Sequence, residues 1–261
     1  MSAKLQLDWQ HPWVVANWKM NPSTQSATQQ LLDDLAQQAA VPGVNVVLAP
    51  GFLHLAQTRQ HLEQTDLPFG LAAQNLCAQH AEQGAFTGEV CAAQLKDMNV
   101  AFVLVGHSER RQYFNEDNTV LAQKITNALS QDLIVILCVG ETAEQYDAGQ
   151  TQAVIAEQLA VLSNMTMPTQ RLIVAYEPVW AIGTGKVPTV AEVDAVHQFI
   201  KDTLTSYAEH LVSTPILYGG SVKGDNAQEF AQSPNISGVL VGGASLKADS
   251  FYQIIHAFAQ K

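Results

Sequence analysis

Eight short apolar runs recur along the chain, and each is apolar at consecutive rather than alternating positions. Strands buried on both faces have this pattern, because helices cover both sides of a parallel sheet. The runs follow one another at intervals of roughly 30 residues, which suits a strand plus a crossover helix. The predicted strands are Trp13–Ala16, Val44–Ala49, Phe69–Ala73, Val100–Val105, Leu133–Val139, Arg171–Tyr176, Pro215–Tyr218 and Gly238–Val241.

Helix-like stretches lie between these runs, and Thr189 followed by Glu192 predicts a capping box at the start of one of them. No Pro/Gly/Ser-rich linker divides the chain. We therefore predict an α/β fold, a (β/α)8 barrel of eight parallel strands ringed by helices, with residues 1–261 as a single domain. The predicted helices are Gln25–Gln38, Leu121–Ser130, Ala153–Leu162, Ala191–Tyr207 and Ser245–Ala259.

Composition narrows the choice of partners. The 261 residues are 47% hydrophobic, and 24 acidic against 13 basic side chains give a net charge of −11. Nucleic acids and anionic membrane surfaces need a basic footprint, so neither is expected as a partner. The first residues contain no continuous apolar segment, and the three cysteines lack CxxC spacing. Both features favour a cytoplasmic location with free thiols.

Polar, ionisable and glycine residues follow the predicted strands where each strand ends. In a parallel barrel the loops after the carboxyl ends of the strands share one rim, and active sites lie there. We therefore expect one site at this rim. Its candidate residues are Asn17 and Lys19 after the first strand, His107 and Glu109 after the fourth, Glu141 after the fifth, Glu177 after the sixth, Ser221 after the seventh, and Gly242 with Gly243 after the eighth.

Three of these side chains suit acid–base chemistry. Glu177 lies between an apolar strand and Pro178, where desolvation is expected to raise its pKa toward that of a useful base. His107 is expected at a helix N-terminus, which keeps an imidazole neutral and able to donate a hydrogen bond. Lys19 can attract an anion or form a Schiff base. A structural salt bridge is the alternative for Glu177 and Lys19, with Glu109 the candidate partner of Lys19.

Glycine pairs follow the last two predicted strands, and Ser221 and Ala244 are expected to begin short helices. Backbone N–H groups there can approach a phosphate closely, although ordinary tight turns are the alternative. The apolar segment Pro178–Lys186 is expected to cover the site as a lid, with a packed surface loop as its alternative. Together these groups suit proton abstraction next to a carbonyl in a small phosphorylated substrate. No motif calls for a metal or a nucleotide.

These residues stand in motifs that resemble the triosephosphate isomerase family. The resemblance runs in order from about residue 12 to the C-terminus, and the segment after the sixth strand is its most specific part. The motifs are Asn17–Asn21, Gly84–Glu89, Gly106–Arg111, Cys138–Glu141, Tyr176–Lys186, Tyr218–Val222 and Leu240–Leu246.

The resemblance implies a TIM barrel that interconverts dihydroxyacetone phosphate and glyceraldehyde 3-phosphate without a cofactor. It implies that Glu177 is the base, that neutral His107 polarises the carbonyl, and that Lys19 and Asn17 stabilise developing charge. Glu109 and Glu141 are expected to support them. It also implies a homodimer, in which the Asn75–Glu89 loop approaches Lys19 of the partner subunit. The residues expected to hold the phosphate are Gly183, Ser221, Gly242 and Gly243.

Two other functions are considered. A Schiff-base aldolase acting through Lys19 is the nearest, although its lysine is expected within a strand. A catalytically inactive, phosphate-binding barrel predicts the loss of Glu177, His107 or Lys19, and all three are present.

Overall fold

The computed structural model describes residues 7–65, 67–182 and 187–261. Eight strands form one closed barrel, in which each strand pairs in parallel with the next along the chain and the eighth pairs with the first. The strands are β1 (Trp13–Asn17), β2 (Asn45–Ala49), β3 (Gly70–Ala73), β4 (Phe102–Val105), β5 (Ile134–Val139), β6 (Leu172–Tyr176), β7 (Ile216–Tyr218) and β8 (Gly238–Val241). All eight predicted strands are confirmed, with their ends within two residues.

Every strand residue is buried, which explains the consecutive apolar pattern. One set of strand side chains fills the barrel interior, where Trp13 packs edge-on against Phe102. The alternate set packs outward against the helices. Because side chains alternate between the two faces of a strand, covering both faces buries every position and favours apolar residues throughout.

The helices ring the barrel between consecutive strands. The five predicted helices are confirmed, as is the helix expected to begin at His107, and four more were not predicted from the sequence. The helices of the described chain are α1 (Gln25–Ala36), α2 (Leu55–Thr65), α3 (Ala92–Asp97), α4 (Ser108–Phe114), α5 (Asn118–Ser130), α6 (Ala143–Asp147), α7 (Thr151–Leu159), α8 (Val190–Tyr207), α9 (Ala227–Ala231) and α10 (Ala248–Ala259).

One predicted helix start is wrong. No helix begins at Ser221: residues 221–223 have no regular secondary structure, residues 224–226 form a turn, and the chain next becomes helical at the start of α9. Ala244 does lie in a short 3-10 helix, Gly243–Leu246, directly after β8. The backbone geometry after the last two strands therefore differs, although both stretches begin with glycine.

Side chains set the starts of two helices near the rim. His107 is the N-cap of α4, and its Nδ1 accepts a hydrogen bond from the backbone N–H of Glu109. The predicted capping box at α8 is confirmed: Thr189 Oγ1 accepts from Glu192 N, and Glu192 Oε2 accepts from Thr189 N at 2.7 Å. Such caps satisfy N–H groups that have no partner within the helix.

None of the described helices has both the length and the apolar character to cross a membrane. Within the same residues, no three His, Cys, Asp or Glu side chains are grouped so that they could hold a metal ion.

Candidate active site

A cavity of about 490 Å³ lies at the carboxyl ends of the strands. The sequence-predicted rim site is one continuous space, to which loops after β1, β4, β6, β7 and β8 contribute. Lys223 and Lys247, which sequence reasoning missed, also line it. The sequence could have indicated both lysines, because Lys223 lies two residues after Ser221 and Lys247 lies four residues after Gly243. The predicted site residues that line the cavity are Asn17, Lys19, His107, Glu177, Ser221, Gly242 and Gly243.

Glu177 and His107 face each other at the buried end of this cavity. Glu177 Oε1 lies 3.1 Å from His107 Nε2, and Glu177 Oε2 accepts a hydrogen bond of 3.2 Å from the backbone N–H of Ser108. Burial by itself raises the pKa of Glu177, but the facing His107 ring and the Ser108 N–H outweigh it and lower the pKa. The expected upward shift is therefore wrong for this arrangement, because the carboxylate is held by two donors.

The hydrogen bonds of His107 assign its protons. Nδ1 accepts from the Glu109 N–H, so this nitrogen carries no proton and the proton of the neutral ring is on Nε2. That N–H then donates to Glu177 Oε1. Burial lowers the pKa of His107, while the carboxylate of Glu177 raises it, and the net direction is upward. The helix N-terminus and Glu177 thus act on this ring in opposite directions.

Two glycines give Glu177 the room that it occupies. A Cβ at Gly219 would lie 2.8 Å from Glu177 Cγ, and a Cβ at Gly140 would lie 1.8 Å from the backbone oxygen of Glu177. Real side chains do not approach so closely, so any larger residue at either position displaces Glu177. Sequence reasoning placed Gly219 at a phosphate site, with a tight turn as the alternative, and missed this contact with the candidate base.

Lys19 lies in a left-handed backbone conformation, with φ of 53°. Asn17 Oδ1 accepts from the Lys19 N–H at 3.0 Å, and Gln74 Nε2 donates to the Lys19 carbonyl at 2.8 Å. The Lys19 ammonium lies 2.6 Å from Glu109 Oε1, and both side chains are partly exposed. The salt bridge considered as an alternative is therefore present, and it holds Lys19 in the wall of the cavity.

A further part of the cavity wall is formed by Ser221, Gly242 and Gly243. A Cβ on Gly243 would have no heavy atom within 4 Å, so the backbone there is open to an incoming group. Ser221 Oγ donates to the Ala181 carbonyl at 2.7 Å, which connects this wall to the segment after Glu177. The remaining predicted phosphate residue, Gly183, lies outside the described residues, as does the rest of the predicted lid from 184 to 186.

Glu141 does not line the cavity but contacts the segment after Glu177. Its buried Oε1 accepts from Tyr176 Oη at 3.1 Å and from Trp180 Nε1 at 2.9 Å. Burial raises the pKa of Glu141, against hydrogen bonds from Trp180 and Tyr176 that lower it. Glu141 therefore contacts the residues that flank Glu177, and its supporting role stays a prediction.

Sequence reasoning missed a buried charge network beside the site. Lys124 Nζ lies 2.5 Å from Glu116 Oε1 and 2.6 Å from Asn75 Oδ1, where the Asn75–Glu89 loop begins. Burial lowers the pKa of Lys124, against the influence of Glu116. A signal for the network was available, because Lys124 falls between Leu121 and Ile125 on the apolar face of α5.

A buried carboxylate, a neutral ring N–H, a held ammonium and an open glycine wall meet in one cavity of a closed β/α barrel. Such a set can move a proton next to a carbonyl and stabilise the oxyanion that forms. The fold and the cavity together define a barrel isomerase of the proton-transfer class.

Comparison with known proteins identifies the family. A family model described as "Triosephosphate isomerase" matches residues 12–258. The triosephosphate isomerase of Psychrobacter sp. (strain PRwf-1) is 48% identical over 260 residues, covering 94% of this chain and 98% of the relative. That of Acinetobacter baumannii (strain AYE) is 43% identical over 257 residues, covering 95% and 97%. The chain belongs to the triosephosphate isomerase family, the enzymes that interconvert dihydroxyacetone phosphate and glyceraldehyde 3-phosphate.

Proposed function

We propose that Glu177 is the base that moves a proton between the two carbons of the triose phosphate, with His107 as the donor to the carbonyl oxygen. The observation that carries this proposal is the buried Glu177–His107 pair, with Nε2 and Oε1 3.1 Å apart at the end of the cavity. A carboxylate base and a neutral histidine at a helix N-terminus are the division of roles long established for triosephosphate isomerases.

Substrate binding activates both groups by separating them. A carbonyl compound that enters between Glu177 and His107 breaks their hydrogen bond. Glu177 then loses the contact that lowers its pKa while it stays buried, so it becomes a stronger base. His107 loses the carboxylate that raises its pKa, so the ring stays neutral and Nε2–H turns to the substrate oxygen.

Lys19 and Asn17 supply the remaining stabilisation of negative charge. Lys19 lines the cavity as an ammonium that is held by Glu109, and Asn17 orders its backbone. Preorganised charges of this kind stabilise an enediolate without reorganisation during the reaction. The side-chain nitrogen of Lys19 is held in a salt bridge with Glu109, so the geometry supports an electrostatic role for Lys19 over Schiff-base chemistry.

Backbone N–H groups of Ser221, Gly242 and Gly243 are proposed to hold the phosphate, together with Gly183. The open backbone at Gly243 and the start of the 3-10 helix there support this assignment. The protein carries a net charge of −11, so attraction for a phosphate has to come from local donors such as these and Lys19. Glu141 supports the site through Trp180.

Exposed apolar side chains support a homodimer. Large apolar residues are exposed after each of the first four strands. Because these strands are neighbours in the barrel, their loops form one side of the rim. A contiguous exposed apolar surface marks an interaction site. We call these residues the apolar face: Met20 (94% exposed), Phe52 (38%), Leu53 (89%), Phe86 (42%), Tyr113 (68%) and Phe114 (62%).

We propose that a second copy of the chain covers the apolar face, with the Asn75–Glu89 loop reaching toward Lys19 of the partner subunit. Phe86 lies within that loop and Met20 directly follows Lys19, so loop and lysine belong to the same face.

We also propose that residues 1–261 form one domain, since all eight strands close a single sheet. We further propose that the enzyme acts in the cytoplasm, where glycolysis takes place.

The replacement Glu177→Gln tests the base. It keeps the size of the side chain but removes its basicity, so we expect turnover of glyceraldehyde 3-phosphate to fall at least about 100-fold in a coupled assay. Binding of the phosphate-bearing inhibitor 2-phosphoglycolate should persist, and calorimetry measures it independently of turnover. Near-normal turnover in this variant would refute the assignment of Glu177.

A further inference from the structure

Tyr146 of α6 contacts two parts of the chain that flank the segment after the base. Its ring lies 4.3 Å from the Trp180 ring between centroids, with the planes inclined by 33°. Its hydroxyl donates to Glu192 Oε1 at 3.2 Å. Trp180 lies three residues after Glu177, and Glu192 lies in the first turn of α8. One side chain therefore connects the chain just after β6 with the beginning of the next helix.

The partners of Tyr146 are themselves held. Trp180 donates its indole N–H to the buried Glu141 at 2.9 Å. Glu192 accepts from Thr189 through its other oxygen and caps α8. Aromatic pairs at this separation attract each other beyond the effect of burial, and a carboxylate is a strong acceptor for a phenol. Tyr146 thus adds a side-chain link between two structured ends.

In the same structure the carboxylate of Glu177, the proposed base, is already engaged in hydrogen bonds. Glu177 is bonded to the Ser108 N–H and to His107 Nε2, the group that the proposed mechanism requires to be free for the substrate oxygen. Glu177 has to leave His107 when a carbonyl enters between them. The backbone that follows is held at Trp180 by Tyr146 and Glu141, and at Ala181 by Ser221. Contacts at Trp180 therefore oppose a shift of the chain that carries the base.

We propose that Tyr146 is a positioning residue that stabilises the resting arrangement of residues 178–182 and thereby weakens binding of the triose phosphate. The proposal rests on the proposed role of Glu177. A ligand that binds only after a competing arrangement is abandoned binds with an affinity lowered by the cost of that change. Removing the contact lowers this cost, so the ligand binds more tightly.

The experiment compares 2-phosphoglycolate binding to Tyr146 variants by calorimetry. For Tyr146→Leu, which removes the ring, we expect a dissociation constant about five-fold lower than that of the unmodified enzyme, as the loss of one aromatic pair predicts. Tyr146→Phe keeps the ring and loses only the bond to Glu192, so about a two-fold decrease is expected. KM should fall with the dissociation constant, while kcat stays constant or declines because product leaves more slowly.

Controls separate this role from a structural one. Tyr207→Leu removes a partly buried tyrosine at the far end of α8, and it should leave the dissociation constant unchanged. Glu192→Gln keeps an acceptor for the α8 cap but weakens the bond from Tyr146, so it should reproduce the effect of Tyr146→Phe. A general loss of stability would raise the dissociation constant in the Tyr146 and Tyr207 variants alike.

An unchanged or raised dissociation constant in Tyr146→Leu overturns the proposal. If that variant does not fold, Tyr146→Phe decides by the same criterion. Calorimetry does not depend on turnover, so the result stands apart from the Glu177→Gln assay. Retained turnover in Glu177→Gln would remove the base assignment, whereas unchanged binding in folded Tyr146 variants would remove only the role of Tyr146.

Discussion

The two halves of the barrel rim contribute to the cavity in different ways. The loops after β1 to β4 provide Lys19 and His107, whose side chains are held by Glu109 and by the start of α4. The loops after β5 to β8 provide Glu177 and the glycines that line the cavity. The first half also carries the apolar face, whereas the second carries the Tyr146–Trp180 contact.

This difference separates a half whose side chains are held in place from a half whose proposed base has to leave its hydrogen-bond partner. The first half contains the buried Lys124–Glu116–Asn75 network, and its Lys19 and His107 are held by Glu109 and by the start of α4. In the second half the proposed base is bonded to His107 and has to be released. Donors that are held in place stabilise charge without reorganisation. The segment proposed to change position, which follows Glu177, belongs to the half without the apolar face.

The largest expected effect concerns the rigid half. Replacing Lys124 by Met removes the buried cation of Glu116, which keeps only the partly exposed Arg110, and removes the donor to Asn75, so the free energy of unfolding should fall by about 4 kcal/mol. Urea unfolding at constant protein concentration measures it. The exposed pair Arg59–Glu63 provides the control, because Arg59→Met should cost less than about 0.5 kcal/mol. Equal losses in both variants would show that the buried network has no special weight.

The second prediction concerns the other half, through His197 of α8. Burial lowers the pKa of His197 to about 4, against opposing effects of the Asn235 carbonyl and Asp194, while Lys261 lowers it further. Between about pH 6.5 and pH 4 the unfolded chain binds a proton that the folded one does not, so stability falls as the pH falls. The loss over this range should reach about 3 kcal/mol.

The variant His197→Asn keeps a donor for the Asn235 carbonyl but cannot titrate. Its free energy of unfolding should depend less steeply on pH in this range than that of the unmodified protein. His256→Asn replaces an exposed ring on α10 and serves as the matched control. If His197→Asn retains the full pH dependence, the protons are taken up elsewhere.

The smallest expected effect tests the apolar face. Leu53→Glu places one charge on the apolar face of each subunit, so a dimer contains two. A loss of about 1.4 kcal/mol of association free energy per charge raises the dimer dissociation constant about 100-fold. Analytical ultracentrifugation over a range of concentrations measures it. Val212→Glu, at a residue 47% exposed in the connection before β7, is the control and should leave association unchanged. Unaltered association in Leu53→Glu would place the partner on another surface.

The strands were predictable because burial on both faces leaves one pattern, a consecutive apolar run. The missed helices lack the amphipathic pattern on which such predictions depend. The structure buries no residue of α6, and in α2 the buried positions include Thr58 and His61. Helices of this kind form where the connection between strands and the caps require them, so the local sequence indicates them weakly.

The members of the site were predictable, since chain order places them at one rim, but their mutual contacts were not. The Glu177–His107 hydrogen bond joins loops 70 residues apart and reverses the expected pKa shift of Glu177. The room made by Gly219, and the bond between Ser221 and Ala181, likewise depend on distances that no local pattern encodes.

The left-handed backbone conformation of Lys19 limits how far the stability of this protein can be raised by substitution at this position. A residue with a Cβ pays about 1 kcal/mol or more for that conformation, and glycine would remove the strain. Glycine would also remove the ammonium from the cavity. With the role proposed for Lys19, selection for stability would favour glycine at this position and selection for turnover would favour lysine.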